Sequence, residues 1–343
     1  MGKHAGAILA AISLLAHTAM AAAPAGYPLE VQDILYESTA DNSNQPALFY
    51  SPSSKDPVPL LVALHTWSSD YKQGGGETLY AKWCVQAGWA FIHPNFRGPN
   101  WTPQALGSDL MVGDILSAVN HAKANANIDS SKIYCIGVSG GGHASLLMAG
   151  RAPELWAGVS AWCGISDIAL WHAQCKGTKF GRYATHIEKA LGGEPITGSR
   201  QLDSANYRSP VTWLKAAAGV NLDINHGIND GRAGSVPFVH SLHAWNAIFP
   251  EEQRFSPDEI QTLYETRKSQ DPAPTDPLYG EKRPLLRQTH GNTRITLFEG
   301  GHEIVHHAAL NWLAAQQKGS PAKWDIEESK DYLGKTKSAQ SGK

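Results

Sequence analysis

The chain reads as an α/β protein in which a mostly parallel central sheet is covered by helices on both faces. Short β-branched and aliphatic runs alternate with helical runs along most of the chain, the pattern that strand-helix-strand crossovers leave. The strand runs are apolar enough to be buried on both faces. With 343 residues the chain is long enough for one large core.

In chain order, Met1-Gly2-Lys3-His4 precedes an apolar stretch over 5–16 and the small-x-small site Ala19-Met20-Ala21. A positive start, an apolar region shorter than the ~20 residues of a span and such a site predict a secretory signal peptide. It covers residues 1–23, with cleavage after Ala21 or Ala23, and implies a secreted or periplasmic location. A single catalytic domain is expected over 24–318. A buried strand over 59–65, a helix over 77–86 and a strand over 89–93 come first, the last ending in the turn Pro94-Asn95-Phe96-Arg97-Gly98. A helix over 110–124 carries Ile115, Val119 and Ala122 at spacings of three and four. Further strands are expected over 132–136, 157–162, 220–225 and 293–298, and a helix over 142–149. Two excursions, 167–208 and 249–291, interrupt the alternation and read as lids or surface insertions. The segment 319–343 is polar and expected to fray.

Charged residues make up 17% of the chain and the formal net charge is −2, so no basic field points to nucleic acid. Export would place Cys84, Cys135, Cys163 and Cys175 in an oxidising compartment. Cys163 and Cys175 could bridge across a loop, but the pairing is left open by sequence. Asn100-Trp101-Thr102 is a glycosylation sequon.

The chemistry centres on Gly137-Val138-Ser139-Gly140-Gly141, a strand-turn-helix context with a serine at its apex. A serine hydroxyl needs a base to take its proton, and that base needs a carboxylate to hold its tautomer. In this architecture the chain order is serine, acid, histidine. Asp230, in the turn His226-Gly227-Ile228-Asn229-Asp230-Gly231, and His302, in Gly300-Gly301-His302, both follow strands and supply that order. Asp167 competes as the acid, while His226 reads as a hydrogen-bonded turn residue, His143 as a packing residue, and His240 and His243 as solvated or core-edge residues of a helix. The oxyanion of a tetrahedral intermediate would be held by the backbone N–H groups of Trp67 and Gly140. Trp67, Trp101, Trp162 and Trp171 fall near carboxyl ends of strands, where rings could stack on a sugar or aryl acyl group. Trp101, Trp162 and Arg97 are the candidate substrate-binding residues. A rival reading takes His302-Glu303-Ile304-Val305-His306 as the zinc motif H-E-x-x-H, with Glu327 as third ligand. The glycines before His302 put it on a turn rather than inside a helix, which disfavours zinc.

Together, Leu64-His65-Thr66-Trp67, Pro94-Asn95-Phe96-Arg97-Gly98, Asp114-Ile115, the Ser139 motif, Ser209-Pro210, His226-Gly227-x-x-Asp230 with Val236-Pro237, and Gly301-His302 resemble the α/β-hydrolase superfamily. Within it the chain is similar to prolyl-oligopeptidase-like catalytic domains and related secreted carbohydrate esterases, over residues 45–315. The resemblance implies an α/β-hydrolase fold with Ser139 as nucleophile, Asp230 as acid and His302 as base. Two departures separate it from the peptidases of that branch. About two dozen residues precede the hydrolase pattern after the leader, where the peptidases carry a propeller. Gly140 also stands where they tend to have an aromatic residue. The expected activity is that of a serine ester hydrolase working without cofactor or metal on acetyl or feruloyl esters of plant polysaccharides. A serine peptidase is the alternative, and a binding module with a degenerate triad a third class. The expected partner is a small-molecule or polysaccharide ester, with no nucleic acid and no membrane once the leader is removed.

Overall fold

Six strands form the parallel centre of the sheet, and their composition explains why. In a computed structural model that describes residues 21–269 and 273–326, β1 (Ala21–Ala22), β2 (Gln32–Glu37), β3 (Asn44–Tyr50), β4 (Val58–Leu64) and β5 (Ala90–Pro94) are followed by β6 (Ile128–Val138), β7 (Gly158–Trp162), β8 (Leu222–Gly227), β9 (Pro284–His290) and β10 (Thr293–Phe298). They make one sheet in the order β1-β2-β3-β5-β4-β6-β7-β8-β10-β9. Neighbours from β5 to β10 in that order pair parallel. Every residue of β5, β7, β8 and β10 is buried, as strands covered on both faces require.

The helices α1 (Glu77–Ala87), α2 (Asp109–Asn125), α3 (Gly140–Arg151), α4 (Ile168–Cys175), α5 (Gly181–Leu191), α6 (Arg200–Arg208), α7 (Val239–Ile248), α8 (Pro257–Thr266) and α9 (His306–Ala314) complete the chain. Side chains of α2, α3 and α7, including Ile115, Leu146 and Leu242, build one apolar layer with Val62 and Ile224. Those of α1 and α9, including Trp83 and Leu310, build the opposite layer with Leu61 and Phe298. The boundary of α2 follows from Ser108, whose side chain accepts from Met111 N.

Besides the two-residue β1, three strands lie outside the sequence expectation. β2, β3 and β9 pair antiparallel at the two edges. β2 and β9 have mixed polar sequences and mostly part-exposed residues, so neither gives a continuous apolar run. β9 lies inside the excursion at 249–291, which is therefore part of the sheet edge. The excursion at 167–208 folds as α4 to α6 and packs Trp171, Ile187 and Ala205 with Trp67.

The polar C-terminal segment corrects the expectation that it frays from residue 319: Trp324 stacks on Trp312 with centroids 5.6 Å apart, and Arg294 lies 4.9 Å from the Trp324 ring. The remainder of that tail, with Glu327, lies outside the described residues, as do residues 1–20 of the leader. The expected cleavage points fall within or just after β1, which pairs with β2. No described helix is long and apolar enough to cross a membrane. The four cysteines are free, buried thiols, so the Cys163–Cys175 bridge that the spacing allowed is not formed.

Candidate active site

Ser139 sits between β6 and α3 with φ 61° and ψ −119°, a left-handed conformation that costs a non-glycine residue about 1–3 kcal/mol. The neighbouring glycines permit it. A Cβ on Gly140 would overlap the backbone of Trp67, so the residue after the serine must be glycine for the 66–68 loop to approach. That contact explains the missing aromatic residue and brings the two expected oxyanion donors, Trp67 and Gly140, together. Ser139 and His302 line one cavity of about 440 Å³ with Thr66, Trp67, Tyr183 and Ile304 among its walls.

Asp230 follows β8 and is fully buried. Its Oδ1 accepts from Gly231 N at 2.9 Å and Val236 N at 3.2 Å. Its Oδ2 lies 2.5 Å from His302 Nδ1 and 3.0 Å from His226 Nε2. A Cβ on Gly234 would strike both the Asp230 carboxylate and His302 Cβ, so this glycine lets the two loops meet. Burial acts to raise the Asp230 carboxyl, but hydrogen bonds from His226 and His302 outweigh it and hold the group well below the usual carboxylate range. Burial likewise acts to lower His302, and its interactions with Asp230 and with the Cys163 thiol prevail, leaving the imidazole above its ordinary value.

His226, expected as a hydrogen-bonded turn residue, is fully buried and its hydrogen bond is to Asp230. Its Nε2 faces two acceptors, Asp230 Oδ2 and Val236 O at 3.0 Å, so that nitrogen carries the proton and Nδ1 accepts from Ser241 Oγ at 2.8 Å. Asp167 does not act as the acid here: it caps α4 by accepting from Leu170 N. His143 packs as expected, with Nδ1 2.9 Å from Ile165 O.

The substrate-binding expectations need correction. Arg97 is clamped by Asp114 at 2.7 Å and Asp41 at 2.8 Å with its side chain 11% exposed, so its guanidinium is spent on structure. Trp162 is fully buried, donates Nε1–H to Ser160 Oγ and packs on Phe298; it belongs to the core. Trp171 is also fully buried and donates to Ser235 O at 2.8 Å. Trp101 is half-buried and lies on His186 with centroids 4.7 Å apart; it is not among the residues lining the cavity. Trp67 does line it, with its indole Nε1–H donating to His186 Nδ1 at 3.2 Å. Asn100 is buried and its Oδ1 accepts from Leu106 N, which hides the sequon. Residues the motifs did not single out also line the cavity: Gln73, Glu77, Arg182 and Tyr183. None belongs to a catalytic motif, and α5 carries the last two.

The zinc motif does not assemble. α9 begins at His306, leaving His302 on the preceding turn, and Glu303 pairs with Lys282 at 2.9 Å. Among the described residues one group has ligand atoms close enough for a metal, Cys163, Asp230 and His302, within 4.8 Å of one another. A cation there would have to break the Asp230–His302 pair.

Comparison with known proteins gives this geometry a relationship. Residues 78–253 match the prolyl oligopeptidase family, a segment that holds Ser139 and Asp230 but not His302. Acylamino-acid-releasing enzyme 2 of Oryza sativa subsp. japonica is 24% identical over 229 residues, 57% of this chain and 28% of that protein. Feruloyl esterase B of Thermothelomyces thermophilus is 25% identical over 127 residues, 34% of this chain and 43% of that protein. The chain thus spans less than half the length of these curated relatives. The uncomplexed acylaminoacyl peptidase of Pyrococcus horikoshii superposes with a TM-score of 0.57 at 17% identity, over 86% of this chain and 43% of that one. At that identity the likeness speaks for the fold. With a family match over half its residues and a parallel sheet of the same architecture, this α/β-hydrolase chain belongs to the prolyl oligopeptidase family of serine hydrolases.

Proposed function

We propose that the protein hydrolyses carboxylic esters through an acyl-enzyme on Ser139, and that its natural substrates are acetyl or feruloyl esters of polysaccharides. The observation that carries acyl transfer is the strained Ser139 turn opening into the same cavity as an imidazole held 2.5 Å from a buried carboxylate. Ser139 Oγ attacks the acyl carbonyl while its proton passes to His302 Nε2. The N–H groups of Trp67 and Gly140 receive the oxyanion. Collapse breaks the bond to the alcohol, which leaves with the proton from His302, and water then releases the acid by the same relay. Asp230 keeps the His302 proton on Nδ1 and stabilises the imidazolium.

The ester preference rests on leaving-group chemistry. An amide nitrogen must be protonated to depart, whereas an alcohol leaves more readily, so a triad with few substrate-holding groups favours esters. The similarity to a feruloyl esterase supports this reading. The similarity to an acylamino-acid-releasing enzyme supports a second, peptidase reading. The leader-like segment at 1–23 makes an exported enzyme part of the proposal.

A side-by-side kcat/KM panel over acetyl-xylan, methyl ferulate, a butyrate ester, acyl-amino-acid anilides and prolyl anilides separates these readings. Preference for an acetyl or feruloyl ester is expected, lost on Ser139→Ala with circular dichroism unchanged. Preference for any anilide over every ester would replace the esterase by the peptidase.

A further inference from the structure

A polar cluster in the same cavity has no part in acyl transfer. Glu77, the first residue of α1, is 4% exposed and lines the cavity together with Gln73 and His306. Gln73 uses its Oε1 to accept from Thr66 N and Thr66 Oγ1, each at 2.9 Å. Glu77 forms no ion pair among the described residues, and burial takes its carboxyl up to about 7.

Two further polar atoms are under-satisfied, one in the cavity wall and one behind it. His306 Nε2 is buried and makes no hydrogen bond of good geometry among the described residues, its imidazole resting against the Gly76 backbone, and the buried Tyr80 hydroxyl has no partner there. Tyr80 and His306 pack with ring centroids 5.2 Å apart. Unpaired donors and acceptors in a low-dielectric interior cost free energy that water or a ligand can recover. Burial pulls the His306 imidazole down to about 4, so it is neutral at physiological pH and does not draw an anion. Arg182 and Glu77, in the same cavity, carry opposite charges, so together they favour neither a cation nor an anion. Neutral hydroxyl groups, which both donate and accept, suit such a lining, and the cavity volume is that of a small-molecule site.

We infer that Glu77 and His306 form a subsite for a neutral, hydroxyl-bearing ring, the sugar of the ester substrate. That the ring is a sugar rests on the ester-hydrolase reading; that a neutral polyol binds does not.

Isothermal titration of the full chain carrying Ser139→Ala tests binding without turnover, with xylobiose, glycinamide and galacturonate as neutral, cationic and anionic probes. Xylobiose is expected to bind best and to compete with p-nitrophenyl acetate on the unmodified enzyme. Glu77→Ala should weaken xylobiose about tenfold or more, and Glu77→Gln, which keeps donors and acceptors, by about threefold or less. His306→Leu gives a second measure should Glu77→Ala fail to fold. Equal xylobiose affinity in folded Glu77→Ala and His306→Leu, or tighter binding of glycinamide or galacturonate, would overturn the subsite. Failure of the unmodified enzyme on every ester would instead sink the esterase reading while leaving the titration outcome to stand by itself.

Discussion

His226 Nε2 lies 3.0 Å from Asp230 Oδ2, the same oxygen that takes His302 Nδ1. Two imidazoles thus share one carboxylate oxygen, and backbone N–H groups fill the other. The arrangement anchors Asp230 and divides its negative charge between two donors. Replacing His226 by Leu removes one charge-assisted hydrogen bond, about 1.5–3 kcal/mol, so kcat should fall about tenfold to hundredfold. Asp230, left with more charge for His302, should raise the imidazole further and move the acid limb of the pH profile upward. A limb that stays in place would reduce His226 to a packing residue.

The pH dependence follows from the raised His302. A base must be neutral to accept the serine proton, so activity appears as pH rises through the imidazole pKa. With that pKa above the ordinary value, the acid limb of kcat/KM is expected above pH ~6.5. Asp230→Asn should lower the limb and cost roughly 10⁴-fold in kcat. The stability signs differ for the two partners. The raised His302 contributes fully below its unfolded pKa of ~6.5 and loses the contribution as pH climbs through the folded value. The depressed Asp230 contributes above its unfolded ~3.9 and loses it as pH falls. Chemical denaturation at a series of pH values, with and without Asp230→Asn, measures both.

Arg97→Ala tests the reassignment of that residue. Asp114 is fully buried and Arg97 is its cationic partner. Stranding such a charge costs about 3–5 kcal/mol, so the variant should lose that much stability while KM for small esters remains unchanged. A raised KM with unchanged stability would return Arg97 to the substrate.

At position 140 the expected result is steric. Gly140→Ala drives a methyl group into the Trp67 backbone, which must withdraw and carry one proposed oxyanion donor with it. Loss of one such donor costs about 10²–10³ in kcat. Near-wild-type turnover by Gly140→Ala would remove Trp67 from the oxyanion site.

The parallel centre was legible because burial on both faces leaves no choice of composition: 293–298 is expected as a strand, and β10 is Thr293–Phe298. The edge strands β2 and β9 were not, since a strand with one wet face can carry Gln, Asp, Arg and Thr and still pair. Among the candidate site residues, the serine turn carried its own local signal in the glycines around Ser139. The aromatic residues did not: a tryptophan just past a strand looks the same whether it lines the cavity, as Trp67 does, or lies wholly in the core, as Trp162 does.

By itself the sequence determined the fold class, the strand-turn-helix around Ser139 and the order in which serine, acid and histidine occur, because periodicity and glycine placement act between near neighbours. Tertiary structure alone decided that His226 joins Asp230, that Asp114 and Asp41 consume Arg97, and that α5 sends Tyr183 to the cavity bearing Glu77 and His306. Local pattern encodes whether a side chain is buried; which distant partner meets it there is set when the layers close on the sheet.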